Sequence, residues 1–211
     1  MRKLPSTPQG QRLYVVGDIH GRIDLLTKLI SLVEADAEKH ADKVKKLIFL
    51  GDYVDRGLYS REVIERLTKP FAHGLEPHFL RGNHEEKFIH VLDGDTAIVP
   101  NFLQFGGDAT CASYGVIMSN QMDDKKIIEA AKKLAKNFPA HHKKFLDDTQ
   151  CSVTFGDYYF VHAGARPGTP LEKQTAKDQL WIRKDFMSTT HVFEKMIVHG
   201  HTISEKPDIR H

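Results

Sequence analysis

At 211 residues with 40% hydrophobic content, the chain has room for one substantial core and little for a second, so a single domain over 1–211 is expected. Thirty Lys and Arg against 28 Asp and Glu leave a formal charge of +2, which argues against a strongly basic nucleic-acid or anionic-membrane binder. The basic start lacks an apolar leader core, no stretch approaches the roughly 20 apolar residues of a membrane span, and Cys111 and Cys151 form no C-x-x-C pair. A cytoplasmic protein with neither nucleic acid nor membrane as partner is the expectation; its oligomeric state is left open.

Taken in order, Leu13 to Val16 reads as a first strand, and Ile23, Leu26, Leu29, Ile30 and Val33 recur at helical spacing on the segment from Arg22 to about Lys39. Leu47 to Leu50, four apolar residues in a row, reads as a strand covered on both faces. A helix follows from Ser60, a candidate N-cap, to Leu67, with Pro70 as its stop. His78 to Leu80 is a third strand, and Glu85 to Leu92 a third helix, so strands and helices alternate as in a mixed α/β sheet.

From about 93 to 148 the pattern changes to a helical insertion. Its second half is an amphipathic run from Asp123 to Phe138 with Ile127, Ile128, Ala131, Leu134, Ala135 and Phe138 on one stripe. Cys151 to Phe155 and Tyr158 to Val161 then flank Gly156-Asp157, a hairpin signal, and Met196 to Val198 reads as one more strand.

What the strands run into is chemically uniform. Gly17-Asp18-Ile19-His20-Gly21, Gly51-Asp52-Tyr53-Val54-Asp55-Arg56-Gly57, Arg81-Gly82-Asn83-His84-Glu85, His162-Ala163-Gly164 and His199-Gly200-His201-Thr202 each put Asp, Asn or His beside glycine at a strand end. Carboxylate, amide oxygen and neutral imidazole are donors suited to divalent Mn, Fe or Zn, and several converging loops are what a metal site needs. Any one of these motifs could be a capped turn; five in this order are hard to explain without a shared site.

These motifs resemble the series found in the phosphoprotein phosphatase family of calcineurin-like metallophosphoesterases, with the match spanning residues 13 to 202. The resemblance implies an α/β fold with a central β-sandwich of two mixed sheets flanked by helices. It implies two divalent ions, Mn foremost with Fe and Zn as alternatives, held by Asp18 and His20, by a bridging Asp52, and by Asn83, His162 and His201. His84 resembles the general acid, Asp55 its orienting carboxylate, and Arg56, Arg81 and Arg183 a phosphate clamp, Arg183 on the shortest motif. His199 matches no ligand and is expected to play a supporting role at its strand end. The family usually continues past Gly-His-Thr with a further strand, whereas this sequence stops at His211.

The reaction implied is in-line attack on phosphorus by a hydroxide held between the two ions, with His84 protonating the leaving group. Phosphoserine and phosphothreonine in proteins are the expected substrates. The rival is a dinucleoside polyphosphate hydrolase of symmetrical type; in that group the aspartate of Val-Asp-Arg-Gly tends to be replaced, and here Asp55 stands, as does Glu85. A metal-fixed binding domain without activity would show a damaged motif, and none is seen.

Overall fold

The computed structural model describes residues 4–206, 208 and 209. Three parallel strands, β1 (Gln11–Val16), β2 (Val44–Phe49) and β3 (Leu75–Phe79), form one sheet in the order β1-β2-β3. The helices α1 (Ile23–Glu38) and α2 (Ser60–Leu67) are the crossovers between them. Parallel pairing sends the loops after all three strands to the same edge, which is where an open α/β sheet carries its function.

The central strand explains the continuous apolar run at 47–50. Side chains alternate across a strand, so Leu47 and Phe49 face the helices while Ile48 and Leu50 face a second layer. α1 covers the sheet with Leu26, Ile30, Val33 and Ala37, spaced as one helical face, and α2 with Val63, Ile64 and Leu67.

After β3 comes α3 (Asn83–Leu92), then the insertion: α4 (Val99–Phe102), a π-type segment Leu103–Gly107 kinked at Phe105 and Gly106, α5 (Asp108–Ser113), α6 (Asp124–Asn137) and α7 (Ala140–Asp147). α6 presents Ile127, Ala131 and Leu134 to the core and packs on α3, and Asp123 caps it by accepting the Lys126 amide. Ser60 does not cap α2: Tyr59 holds that position, and the Ser60 hydroxyl accepts the Asp55 amide.

The second layer is β4 (Ser152–Phe155), β5 (Tyr158–Val161) and β6 (Met196–Val198), with β4 and β5 antiparallel around Gly156 and β5 and β6 parallel. α8 (Ala176–Trp181) and α9 (Lys184–Met187) lie between β5 and β6. Phe160, Val153, Phe155 and Val198 meet Ile48, Leu50 and Leu80 between the layers. Among the described residues this second sheet is mixed and the first is wholly parallel, a difference in the first sheet from the expected two mixed sheets that follows from its two helical crossovers. The basic start at Met1–Lys3 and the chain end at Arg210–His211 lie outside the described residues. No helix among the described residues is long and apolar enough to cross a membrane.

Candidate metal and catalytic site

The loops meet at Asp52. Its carbonyl accepts the amides of Ile19 and His20, so the loop after β1 is tied to the loop after β2. Its side chain lies against Gly82, where any Cβ would strike it, which is why the residue before Asn83 has to be glycine. Gly51 has φ +102°, and a side chain there would run into the backbone of Gly82. Asp52, His20, Asp55, Arg56 and His201 all carry positive φ. Such conformations are uncommon outside glycine and cluster at functional sites, where the surrounding packing enforces them.

Around Asp52 the imidazoles converge. His20 Nε2 stands 3.5 Å and His84 Nε2 3.9 Å from Asp52 Oδ2, and His162 Nε2 is 3.4 Å from Oδ1. His162 Nε2 also lies 2.9 Å from Asn83 Oδ1 and 3.2 Å from His201 Nδ1. Asp18 is exposed and outside this tight group; its two oxygens accept the His201 amide at 3.3 and 3.2 Å. His199 turns its Nδ1 to the Gly200 carbonyl and sets its ring against Phe186.

The hydrogen-bond directions show that this cluster fits divalent ions. His20 Nδ1 pairs with the Val54 carbonyl and His162 Nδ1 with the Leu50 carbonyl, so both rings must donate there, and their Nε2 atoms carry bare lone pairs. Those lone pairs face carboxylate and amide oxygens, acceptors facing acceptors. His20 Nε2 and His201 Nε2 are buried with no hydrogen-bond partner. Burial, then Glu85 and Asp18, drive Asp52 well above the carboxylate range, so its anion needs nearby positive charge. Burial also lowers His20 and His162 to about 4 and His201 to about 3, leaving each ring neutral and able to ligate at neutral pH.

Beside the cluster is a proton-carrying pair. His84 Nδ1 lies 2.6 Å from Asp55 Oδ2, both buried, and its ring stands edge-on to His20. Burial raises Asp55 to about 8 and lowers His84 to about 3. The pair therefore holds one transferable proton at neutral pH on a short hydrogen bond, as an acid requires. Arg56 approaches His84 Nε2 at 3.3 Å, and the charge of Arg183 is felt at both His84 and His201. Arg81 goes elsewhere: its Nε donates to Thr149 Oγ1 and a terminal nitrogen to the carbonyls of Leu146, Asp147 and Thr149, so it caps the end of α7. The open carbonyls of that helix end compete for the guanidinium assigned to the clamp.

Thr110 and Lys87 were not read from the sequence, and Glu85 was read only as a motif residue, without its structural part. Thr110, from α5, donates to Asp55 Oδ1 at 2.6 Å and accepts the Asp55 amide at 2.8 Å, so the segment after α3 orients the His84–Asp55 pair. Glu85 accepts the amides of Asp52, Tyr53, Val54 and Gly82 and so fixes the Asp52 loop against α3; burial pushes it up to about 7 while those four donors favour the anion. Lys87 is buried one turn beyond His84, between the rings of Phe105 at 4.0 Å and Trp181 at 4.6 Å, and its charge acts on Asp55 and Asp52. Only Glu85 carried a sequence signal, as the acidic residue three places after a helix-entry glycine.

A family model described as calcineurin-like phosphoesterase matches residues 11–208. The bis(5'-nucleosyl)-tetraphosphatase PrpE [asymmetrical] of Halalkalibacterium halodurans is 27% identical over 93% of this chain and 80% of its own length. The protein of the same name from Bacillus mycoides is 27% identical over 92% of this chain and 79% of its own. Serine/threonine-protein phosphatase 5 of Solanum lycopersicum is 35% identical over 44% of this chain and 17% of that protein. A crystal structure provisionally assigned as a diadenosine tetraphosphatase superposes with a TM-score of 0.58 at 18% identity, covering 94% of this chain and 77% of that one. With the layered fold, the imidazoles gathered on Asp52 and a family match running almost from end to end, the chain belongs to the calcineurin-like phosphoesterases.

Proposed function

We propose that this phosphoesterase hydrolyses dinucleoside tetraphosphates, cutting them unequally. What carries the reading is the extent of likeness: relatives named for that activity align over more than nine-tenths of the chain, insertion included, whereas the likeness to a protein phosphatase covers under half. The motif argument for phosphoproteins set Asp55 against the symmetrical hydrolases, and it leaves asymmetrical cleavage open.

In this reading Asp18, His20, Asp52, Asn83, His162 and His201 hold two divalent ions, manganese foremost. Bound there, the ions supply an acidified water and offset the charge on the phosphoryl oxygens. Arg56 and Arg183 present forked donors to the phosphate chain. Lys87 adds a buried positive charge that acts on Asp55 and Asp52. His84, oriented by Asp55 and Thr110, holds a proton for the leaving oxygen.

A second reading, hydrolysis of phosphoserine and phosphothreonine, is favoured by that acid pair. A serine alkoxide needs a proton at departure, and a nucleotide phosphate hardly does. One assay separates the two: manganese-reconstituted protein on diadenosine tetraphosphate and on phosphoserine, phosphothreonine and phosphotyrosine peptides. The proposal expects the highest kcat/KM on the dinucleotide, with mononucleotide and nucleoside triphosphate as products. Two diphosphates would make the cleavage symmetrical, and preference for a phosphopeptide would replace the proposal with the second reading.

A further inference from the structure

A second convergence of metal-binding side chains lies away from the Asp52 cluster and shares no residue with it. Glu65 on α2 meets His141 and His142, the second and third residues of α7. Both imidazole Nε2 atoms stop 2.9 Å from the same oxygen, Glu65 Oε2, and one donor atom from each residue lies within 4.8 Å of the others. The rings are 4.3 Å apart and inclined by 67°, so they address the oxygen from different directions and do not stack.

His142 distinguishes this arrangement from a surface ion pair. Its side chain is 1% exposed, and its Nδ1 pairs with the Tyr114 hydroxyl at 2.9 Å, which fixes the ring with Nε2 turned to Glu65. An outer hydrogen bond on the far nitrogen is how ligating histidines are usually held. Burial lowers His142 below the ordinary imidazole range, which favours the neutral ring. Two imidazoles and one carboxylate are a zinc-type donor set, with a fourth tetrahedral position left for water. Ligands of a tetrahedral zinc stand about 3.3 Å apart, so each imidazole nitrogen has to move off Glu65 Oε2 by only a few tenths of an ångström, with exposed His141 and half-buried Glu65 able to adjust. Lys69, 2.5 Å from Glu65 Oε1, occupies the other carboxylate oxygen and leaves Oε2 to the cluster.

We propose that Glu65, His141 and His142 form a zinc-type site, completed by water, that staples the end of the helical insertion to α2, with Tyr114 as the residue that orients His142. Such a site ties α7, and through Tyr114 the end of α5, to the helix that follows the Asp52 loop. Its energy is folding energy of the insertion, so it acts on stability and leaves the chemistry alone.

The test is total metal per chain after zinc reconstitution and dialysis, with melting temperature and manganese-supported activity measured alongside. Wild type is expected to retain one equivalent more than Glu65→Gln and His141→Ala and to melt higher with zinc than without. Both variants should keep wild-type activity with manganese and show a smaller zinc-dependent rise than wild type. Tyr114→Phe should weaken the extra site by about 10- to 100-fold. His141 is exposed, so His141→Ala keeps the core packing even if a change at Glu65 disturbs α2. Equal zinc content in wild type and His141→Ala, or a zinc-dependent rise as large in that variant as in wild type, overturns the proposal.

Discussion

His84 stands where two demands meet: its amide donates to Asp52 Oδ1, and its ring shares a proton with Asp55. If the ring delivers that proton, its loss is felt in proportion to the leaving group's need. General-acid catalysis is typically worth about 10² to 10⁴-fold. His84→Asn is therefore expected to lose about that factor on a substrate with an alkoxide leaving group and far less on a nitrophenyl phosphate, with metal content unchanged. Equal losses on both, in single-turnover rates, would make His84 a positioning residue. At the same scale, burial pushes the Cys111 thiol up to about 12, so it stays protonated and unreactive through pH 9. A disulfide reagent at pH 8 should leave Cys111 unlabelled in the folded protein and modify it on unfolding; prompt labelling of native Cys111 would contradict its buried position.

At the scale of elements, α3 and the loop before it are locked by Glu85. Glu85 Oε1 takes the Tyr53 and Val54 amides and Oε2 the Asp52 and Gly82 amides, so either end of a glutamine amide would aim its NH2 at two donors. A buried unpaired group costs about 1–3 kcal/mol. Glu85→Gln is therefore expected to destabilise by about 2 kcal/mol or more, a fall of about 4–8 °C in Tm for a domain of this size, measured by calorimetry with metal bound. An unchanged melting point would mean the four amides are not held as described. α6 makes a parallel case: Leu134 is 1% exposed, and Leu134→Ala is expected to cost about 2–5 kcal/mol in denaturant unfolding. A loss under 1 kcal/mol would mean that the insertion is only loosely seated on α3.

On the scale of the whole molecule, what could be read in the sequence followed how local its cause was. The run Leu47–Leu50 announced a strand buried on both faces because period and composition are written in consecutive residues, and the Gly-Asp and Gly-Asn-His turns marked its chemistry. Ser60 looked like a helix cap because a serine before an apolar run usually is one; the nearby Asp55 amide took its hydroxyl instead. Thr110, 55 residues from Asp55, and Glu65, 76 from His141, had no local signature, because what brings them together is the docking of the insertion. Arg81 was read from its motif alone, and the α7 carbonyls that claim it lie 65 and 66 residues away.

The central claim is that the strand ends build one charged cluster around Asp52 whose purpose is to hold divalent ions for phosphoester hydrolysis. Manganese counts that cluster best, since it is the weakest of the first-row series at the imidazole-rich Glu65 site. The deciding measurement is bound manganese per chain together with activity, for wild type before and after chelation and for Asp52→Asn. Wild type should hold two ions, lose activity when they are removed and regain it on reconstitution, and Asp52→Asn should lose ions and activity together. Two ions held as tightly by Asp52→Asn as by wild type, or full activity in a chain shown to be free of metal, would contradict it.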